Sequence, residues 1–324
     1  MSQTKRKKIT RPELLAFAGR YGTIICLLGM IIVFSLFLPA FRSTTNLVNL
    51  MGQTAILSIL AAGMTCCLKM GDFDLSIGAI AALTGIVVAK VLVNDGGIPL
   101  AILCGLLTGA VIGLMNGFFV AYVGLSAFVC TLATMSIVLG LGMTITKGIS
   151  IWDLPETFDF IGRGGLFGLP SRFILMMILL FILWFIHNYT PTGRRMEAIG
   201  GNAVSARLSG IKVERNRVLG YLLSGSCAAI AGIVLASSTM SASPTQGVHY
   251  LLDAFGAAFI GAATIRIGQF HIWGTFVGVL IVVVAVNGLV MLMVPGYLTD
   301  LIRGMILLLA IMLSGAVGKL INTA

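Results

Sequence analysis

Residues 98–122 read IPLAILCGLLTGAVIGLMNGFFVAY, a run of 25 residues without a charge. A helix rises about 1.5 Å per residue, so this run is longer than the roughly 30 Å hydrocarbon core of a bilayer. Gly105, Gly109, Gly113 and Gly117 recur within it at four-residue spacing. Positions four apart share a helix face, and a smooth stripe of glycine lets a second helix approach closely. These four are read as helix-packing residues.

Outward from this segment the chain repeats the pattern. Apolar runs long enough for helices fall at 22–41, 47–70, 75–93, 126–146, 171–189, 218–240, 250–265, 272–293 and 296–317. With 98–122 they make ten. Polar residues and glycines interrupt those at 47–70, 75–93 and 250–265. Strict alternation of apolar and polar residues is absent, which argues against a membrane β-barrel. The fold class expected is all-α, a polytopic membrane protein of about ten transmembrane helices.

Composition agrees. The chain of 324 residues is 58% hydrophobic and 10% charged, against about 25% charged in soluble domains. So few charges cannot cover a surface of this size in water, so lipid is the expected solvent. The net charge is +10, but the cations lie between apolar runs rather than on a continuous basic face, and nucleic acid is not an expected partner. Lys5, Arg6, Lys7 and Lys8 precede the run Thr23–Ala40. That run is long enough to span and no small-residue cleavage site follows, so it reads as a first membrane helix rather than a signal peptide. Six cysteines lie inside apolar runs as packing residues.

Orientation follows from Lys and Arg, which concentrate on the cytoplasmic side. With the N-terminus inside, fifteen fall on the cytoplasmic side and six on the other. Both termini are then cytoplasmic. The organisation expected is a single transmembrane domain over 1–324, with a basic tail at 1–20 and a basic cytoplasmic segment at 190–217. An outer segment at 148–171 is either a lid or docking surface, or a solvated connector.

Polar residues at membrane depth are costly, about 2.5–3.5 kcal/mol on insertion scales, and so draw attention. Gly71-Asp72-Phe73-Asp74-Leu75-Ser76 is the sharpest case. Two readings stand together: a broken helix on the transport route or its gate, and Asp74 with Ser76 as N-terminal caps of the next helix. The segment is echoed by Gly247–Asp253, which also leads into a small-residue stretch. The two breaks open on opposite sides, the relation expected of an inverted internal repeat. Asp253 joins the pathway candidates on that ground. Asn116 and Asn287 either bond a polar substrate or tie helices together; Asn287 is carried forward as a pathway candidate.

No phosphate-binding loop, zinc-protease motif or nucleophile elbow occurs. His187, His249 and His271 are far apart and lack metal-ligand spacing. The chain reads as a non-enzyme without metal or cofactor of its own. If ATP drives it, the ATPase is another chain. The rival is an ion-coupled secondary transporter in which Asp72, Asp74 or Asp253 carries a proton or cation.

The chain resembles the permease subunits of ribose, arabinose and xylose ATP-binding-cassette importers over nearly its whole length. Gly71–Ser76 is similar to the family's Gly-x-Asp-Leu-Ser segment, and Thr131-Leu132-Ala133-Thr134-Met135 to another recurrent stretch. Ala198-Ile199-Gly200-Gly201-Asn202, then Ala206-Arg207-Leu208-Ser209-Gly210-Ile211, resembles its cytoplasmic coupling segment, and Asn287-Gly288-Leu289 matches near the ninth helix. The resemblance implies two permease copies in the bacterial inner membrane and ATPase subunits that bind ATP and Mg. It also implies a periplasmic or lipid-anchored sugar-binding protein that delivers a monosaccharide. Gly200, Gly201, Asn202, Ala206, Arg207 and Gly210 would carry coupling; Asp72, Asp74, Ser76, Asp253 and Asn287 would line the pathway or gate. The chain departs from the family's glycine-rich run at 261–271, where Ala262, Ile267 and Phe270 stand in place of glycines.

Overall fold

The computed structural model describes residues 11–264, 268–299, 301–305, 308 and 312, with side chains from Gly22 onward. The apolar runs become helices: α1 (Arg11–Phe37), α2 (Thr44–Leu68), α3 (Ile77–Val93), α4 (Ile98–Phe118) and α5 (Ala127–Thr146). After the short α6 (Asp159–Gly162) come α7 (Ser171–Tyr189), α8 (Pro191–Gly201), α9 (Ala203–Leu208), α10 (Val213–Thr239), α11 (Tyr250–Ala262) and α12 (Ile272–Met291). Among the described residues the strand content is one hairpin, β1 (Gly165–Leu166) with β2 (Leu169–Pro170), and a single bridge from Ile151 to Ala242. The protein is thus an all-α, multi-spanning membrane protein.

Among the described residues six segments are long and apolar enough to cross a bilayer: Thr44–Leu68, Ile98–Val123, Ala127–Thr146, Ser171–Tyr189, Val213–Thr239 and Ile272–Met291. Gly22–Phe37, Ile77–Val93 and Tyr250–Ala262 are apolar but shorter. The expected tenth run begins as helix at 296–299 and 301–305, and most of its remainder lies outside the described residues.

α10 is the mast of the bundle, packed against α4, α2 and α3, while α11 pairs with α12. α4 shows why. Its glycine stripe lies directly on α10: a Cβ on Gly109 would sit 2.3 Å from the carbonyl oxygen of Gly225, and one on Gly113 2.4 Å from that of Tyr221. Gly105 meets Val88, Thr84 and Ile233, and Gly117 meets Val218 and Tyr221. The pairing is antiparallel, since rising numbers on α4 meet falling numbers on α10. The other face carries Leu100, Leu103, Leu107, Val111, Leu114 and Phe118, all exposed. Spacing of three and four makes this a continuous apolar stripe. Among the described residues nothing covers it, and it suits lipid.

The structure sharpens the sequence reading at four places. α2 runs unbroken from Thr44, opened by Ser43 Oγ, which accepts from the Asn46 amide. The 190–217 segment is more helical than its glycines suggest: α8 continues through Gly200 and Gly201, and the break falls at Asn202. α10 starts at Val213 rather than 218, so Arg215 and Arg217 belong to it. The 148–171 segment is no free connector. Phe158 is fully buried, Ser237 Oγ donates to its carbonyl at 2.5 Å, and the Gly162 amide donates to Ser237 Oγ at 2.8 Å. The segment is a cap tied to the far end of α10. Arg266, and Ile267 of the atypical 261–271 run, lie outside the described residues.

Candidate functional site

Between α2 and α3 the chain leaves helix at Gly71 (φ +80°), a left-handed turn that suits glycine. It then runs through Asp72–Ser76 inside the bundle. Ser224, which touches this stretch, lies eleven residues along α10 from Val213, about 16 Å at helical rise. α3 therefore begins well within the molecule.

Irregular backbone at that depth needs partners, and every neighbouring helix supplies one. Asp74 Oδ1 accepts from the Ser76 amide at 3.0 Å and from Ser76 Oγ at 2.6 Å. Asp74 Oδ2 accepts from Ser224 Oγ on α10 at 2.7 Å. Asn116 Nδ2 on α4 donates to Ser76 Oγ at 2.9 Å, and Thr134 Oγ1 on α5 donates to Asn116 Oδ1 at 2.6 Å. The Leu75 amide donates to Thr131 Oγ1, and Tyr221 OH donates to the Phe73 carbonyl. Asp74 and Ser76 are both fully buried. Ser76 does sit at the N-cap position of α3, yet its side chain caps nothing there. The Asp74 carboxylate braces the turn itself instead.

A second broken element meets the first. A Cβ on Gly247 would lie 2.1 Å from the Gly78 carbonyl oxygen, and one on Gly78 2.6 Å from that of Gly247. The two echoed segments, 71–78 and 247–253, thus touch backbone to backbone where α3 and the half-length α11 both begin. Phe73 stacks on Phe255 across the same junction, ring centroids 6.1 Å apart.

The 190–217 segment is seated on the end of α2. Lys69 Nζ lies 3.2 Å from Glu197 Oε2 of α8, and Gly200 packs so closely that a Cβ would be 2.1 Å from the Lys69 carbonyl oxygen. Met70 is buried with Met196, Ile199, Ala206 and Val213. Asn202 Oδ1 accepts from the Ser205 amide and so caps α9; Arg207 pairs with Glu214; Gly210 (φ +81°) turns the chain toward α10. Gly201 has open space beside it. On the other side of Gly71, Arg217 Nε stands 3.1 Å from Asp72 Oδ2, close but not aligned as a hydrogen bond. Two ion pairs therefore grip the chain on either side of one flexible glycine.

At the opposite end of the bundle a cavity of about 500 Å³ lies among α2, α11 and α12, lined by Gln53, Gln246, His249, Asp253 and Asn287, with Arg303. Arg303 Nε stands 3.8 Å from Asp253 Oδ1. Asn287 and Asn46 exchange two amide hydrogen bonds, at 2.9 and 3.2 Å. Asn287 thus ties α12 to α2 while lining the cavity. Among the described residues no cluster of His, Cys, Asp or Glu has metal-site geometry.

The structure places Asp72, Asp74 and Ser76 in one turn, of which Asp72 meets Arg217 of the 190–217 segment, and groups Asp253 with Asn287 elsewhere. Sequence reasoning did not single out Lys69, Glu197, Arg217 or Ser224. The available signal was weak: Lys69 is a lone cation two residues before the Gly71 break.

The family profile described as branched-chain amino acid transport system / permease component matches residues 46–311. The ribose import permease protein of Bacillus subtilis (strain 168) is 38% identical over 313 residues, covering 96% of each chain. The L-arabinose transport system permease protein of Escherichia coli (strain K12) is 34% identical, over 90% of this chain and 89% of its own length. The D-allose transport system permease protein of the same strain is 31% identical over 94% of both. No solved structure matches the chain. With glycine-packed membrane helices, a braced mid-bundle break and end-to-end kinship to permeases, the chain belongs to the branched-chain amino acid transport system / permease component family, as a membrane-spanning transport subunit.

Proposed function

We propose that this chain is the permease of an ATP-driven monosaccharide importer of the bacterial inner membrane, working as a pair of copies with both termini in the cytoplasm. The observation that carries the reading is full-length similarity to ribose, arabinose and allose permeases. A pentose or a closely related hexose is the substrate class. About ten helices, arranged with an inverted repeat about the Gly78–Gly247 contact, fit that role.

In this reading ATPase subunits, which bind ATP and Mg, press on α8 and α9 from the cytoplasm. The movement passes through Lys69–Glu197 and Asp72–Arg217 to the two sides of Gly71. Rotation there shifts the Asp74–Ser76 brace and, through Gly78, the break at Gly247. The cavity beside Asp253 and Asn287 receives sugar from an external binding protein. Alternating access then needs only rigid shifts of helix groups. The ion-coupled rival is disfavoured because Asp74 already accepts three hydrogen bonds and Asp72 faces Arg217, leaving neither as an open cation ligand.

The test is uptake in vesicles holding this chain with its ATPase and binding-protein partners. Uptake of labelled ribose, arabinose or allose that requires ATP and both partners is the expected result. Uptake driven by an ion gradient with this chain alone overturns the reading.

A further inference from the structure

A second cavity, of about 310 Å³, lies inside the joint between α8 and the bundle. It is bounded by the ends of α2 and α7, by Gly200 and Gly201, and by residues 268–271. Its size is at the lower end of the range for small-molecule sites, about 300–1,000 Å³.

The chemistry of its wall is specific. His187 is 3% exposed, lines the cavity, and neither ring nitrogen has a hydrogen-bond partner. Both ring nitrogens are sealed from the cavity as the ring stands; a buried imidazole left unpaired is costly, and a turn of the ring toward an occupant would relieve that cost. Lys69 and Glu197 cancel in charge. Asn188 and Gln269 supply amides, and Phe270 supplies an aromatic face held edge-on by Phe259 at 5.3 Å. Donors, acceptors and one ring face without net charge suit a neutral polyhydroxyl compound. They suit a sugar phosphate or an organic acid poorly, since among the described lining residues the one Lys or Arg is Lys69, already paired with Glu197.

We propose that this cavity is a rear site for the transported monosaccharide, and that its occupancy wedges α8 against the end of α2 and slows further import. The proposal rests on the function given above and deepens it: released sugar restrains its own importer through the Lys69–Glu197 joint. Phe270, which departs from the family's glycine-rich run, becomes part of the wall that recognises the sugar.

The experiment uses the permease–ATPase complex without its binding protein, titrated calorimetrically with D-ribose, L-arabinose, D-allose and D-ribose 5-phosphate. One neutral sugar binds with a dissociation constant of about 1 mM, as expected for a small ligand held by a few hydrogen bonds, and the phosphate does not. Gln269→Ala, at an exposed position that poses little risk to folding, weakens binding about three- to tenfold; His187→Gln does the same. In vesicles, the same sugar loaded on the ATPase side lowers the initial uptake rate, and Gln269→Ala relieves the inhibition. The proposal is overturned if a complex that imports a sugar binds none of them, if both variants bind like the parent, or if ribose 5-phosphate binds equally well. Vesicles that import none of these sugars under ATP would instead refute the assigned function.

Discussion

Gly78 and Gly247 pack so tightly that a Cβ on Gly247 would stand 2.1 Å from the carbonyl oxygen of Gly78. Both partners are backbone, so neither can swing aside as a long side chain would. This contact joins the start of α3 to the turn before α11. Movement of one break is therefore felt by the other.

Gly247→Ala should accordingly destabilise the protein by about 1–3 kcal/mol, the usual cost of overpacking. Thermal unfolding in detergent measures it. Gly140→Ala is the control: nothing lies within 4 Å of a Cβ at that helical position, and stability should hold or rise slightly. Equal losses in the two variants would show that the junction is slack.

The bundle was legible in the sequence to different depths. The α4 stripe shows itself because four glycines keep one period. Its partner surface, Tyr221, Gly225 and Ala229 on α10, has the same spacing but mixed sizes, so it does not stand out. Gly200 and Gly201 disfavour a helix locally, since each glycine costs about 1 kcal/mol in an isolated helix. α8 continues there because Gly200 must lie flat on the Lys69 carbonyl, a requirement set by tertiary contact. The Asp74–Ser224 bond joins residues 150 apart, and no local pattern announces such a pair.

Asp74 supports a prediction that separates brace from carrier. Asp74→Ala strands Ser224 Oγ and the Ser76 amide in a buried site, at about 1–3 kcal/mol for each group left unpaired, and leaves Ser76 Oγ with Asn116 alone. Expression should fall and the unfolding temperature should drop sharply. Asp74→Asn keeps the shape and one acceptor oxygen, and its amide can donate to Ser224 Oγ. It should retain most of the stability and a substantial share of ATP-driven uptake. Complete loss of uptake in a well-folded Asp74→Asn protein would point to a carboxylate that handles charge.

Lys69 and Glu197 supply a test of coupling. Glu197 is about half exposed, but the Lys69 side chain is 8% exposed, so loss of its partner leaves a largely buried ammonium uncompensated. Glu197→Lys should therefore lower stability while repelling Lys69 and prising α8 from the end of α2. Sugar moved per ATP hydrolysed should fall several-fold, with hydrolysis itself retained. The exchange Lys69→Glu with Glu197→Lys should recover much of that ratio. A double variant no better than the single would remove the ion pair from the transmission route.

The reciprocal amides of Asn46 and Asn287 yield the last prediction. Interhelical hydrogen bonds in membranes are worth about 0.6 kcal/mol on average and up to about 1.7. Asn287→Leu and Asn46→Leu should each destabilise by roughly that amount or more: the first orphans Asn46 Oδ1, although Asn46 Nδ2 still donates to the Phe41 carbonyl, and the second leaves the buried Asn287 amide without Asn46. The double variant should lose less than the two losses added, since neither side-chain amide is then orphaned, although the Phe41 carbonyl still lacks the donor that Asn46 supplied. Asn287 also borders the outer cavity, and sugar contact there would appear differently. Half-saturation for import would rise in Asn287→Leu and stay raised in the double variant, whatever happened to stability. Unfolding curves and uptake kinetics on the same four proteins separate a tie between α2 and α12 from a residue that also meets the sugar.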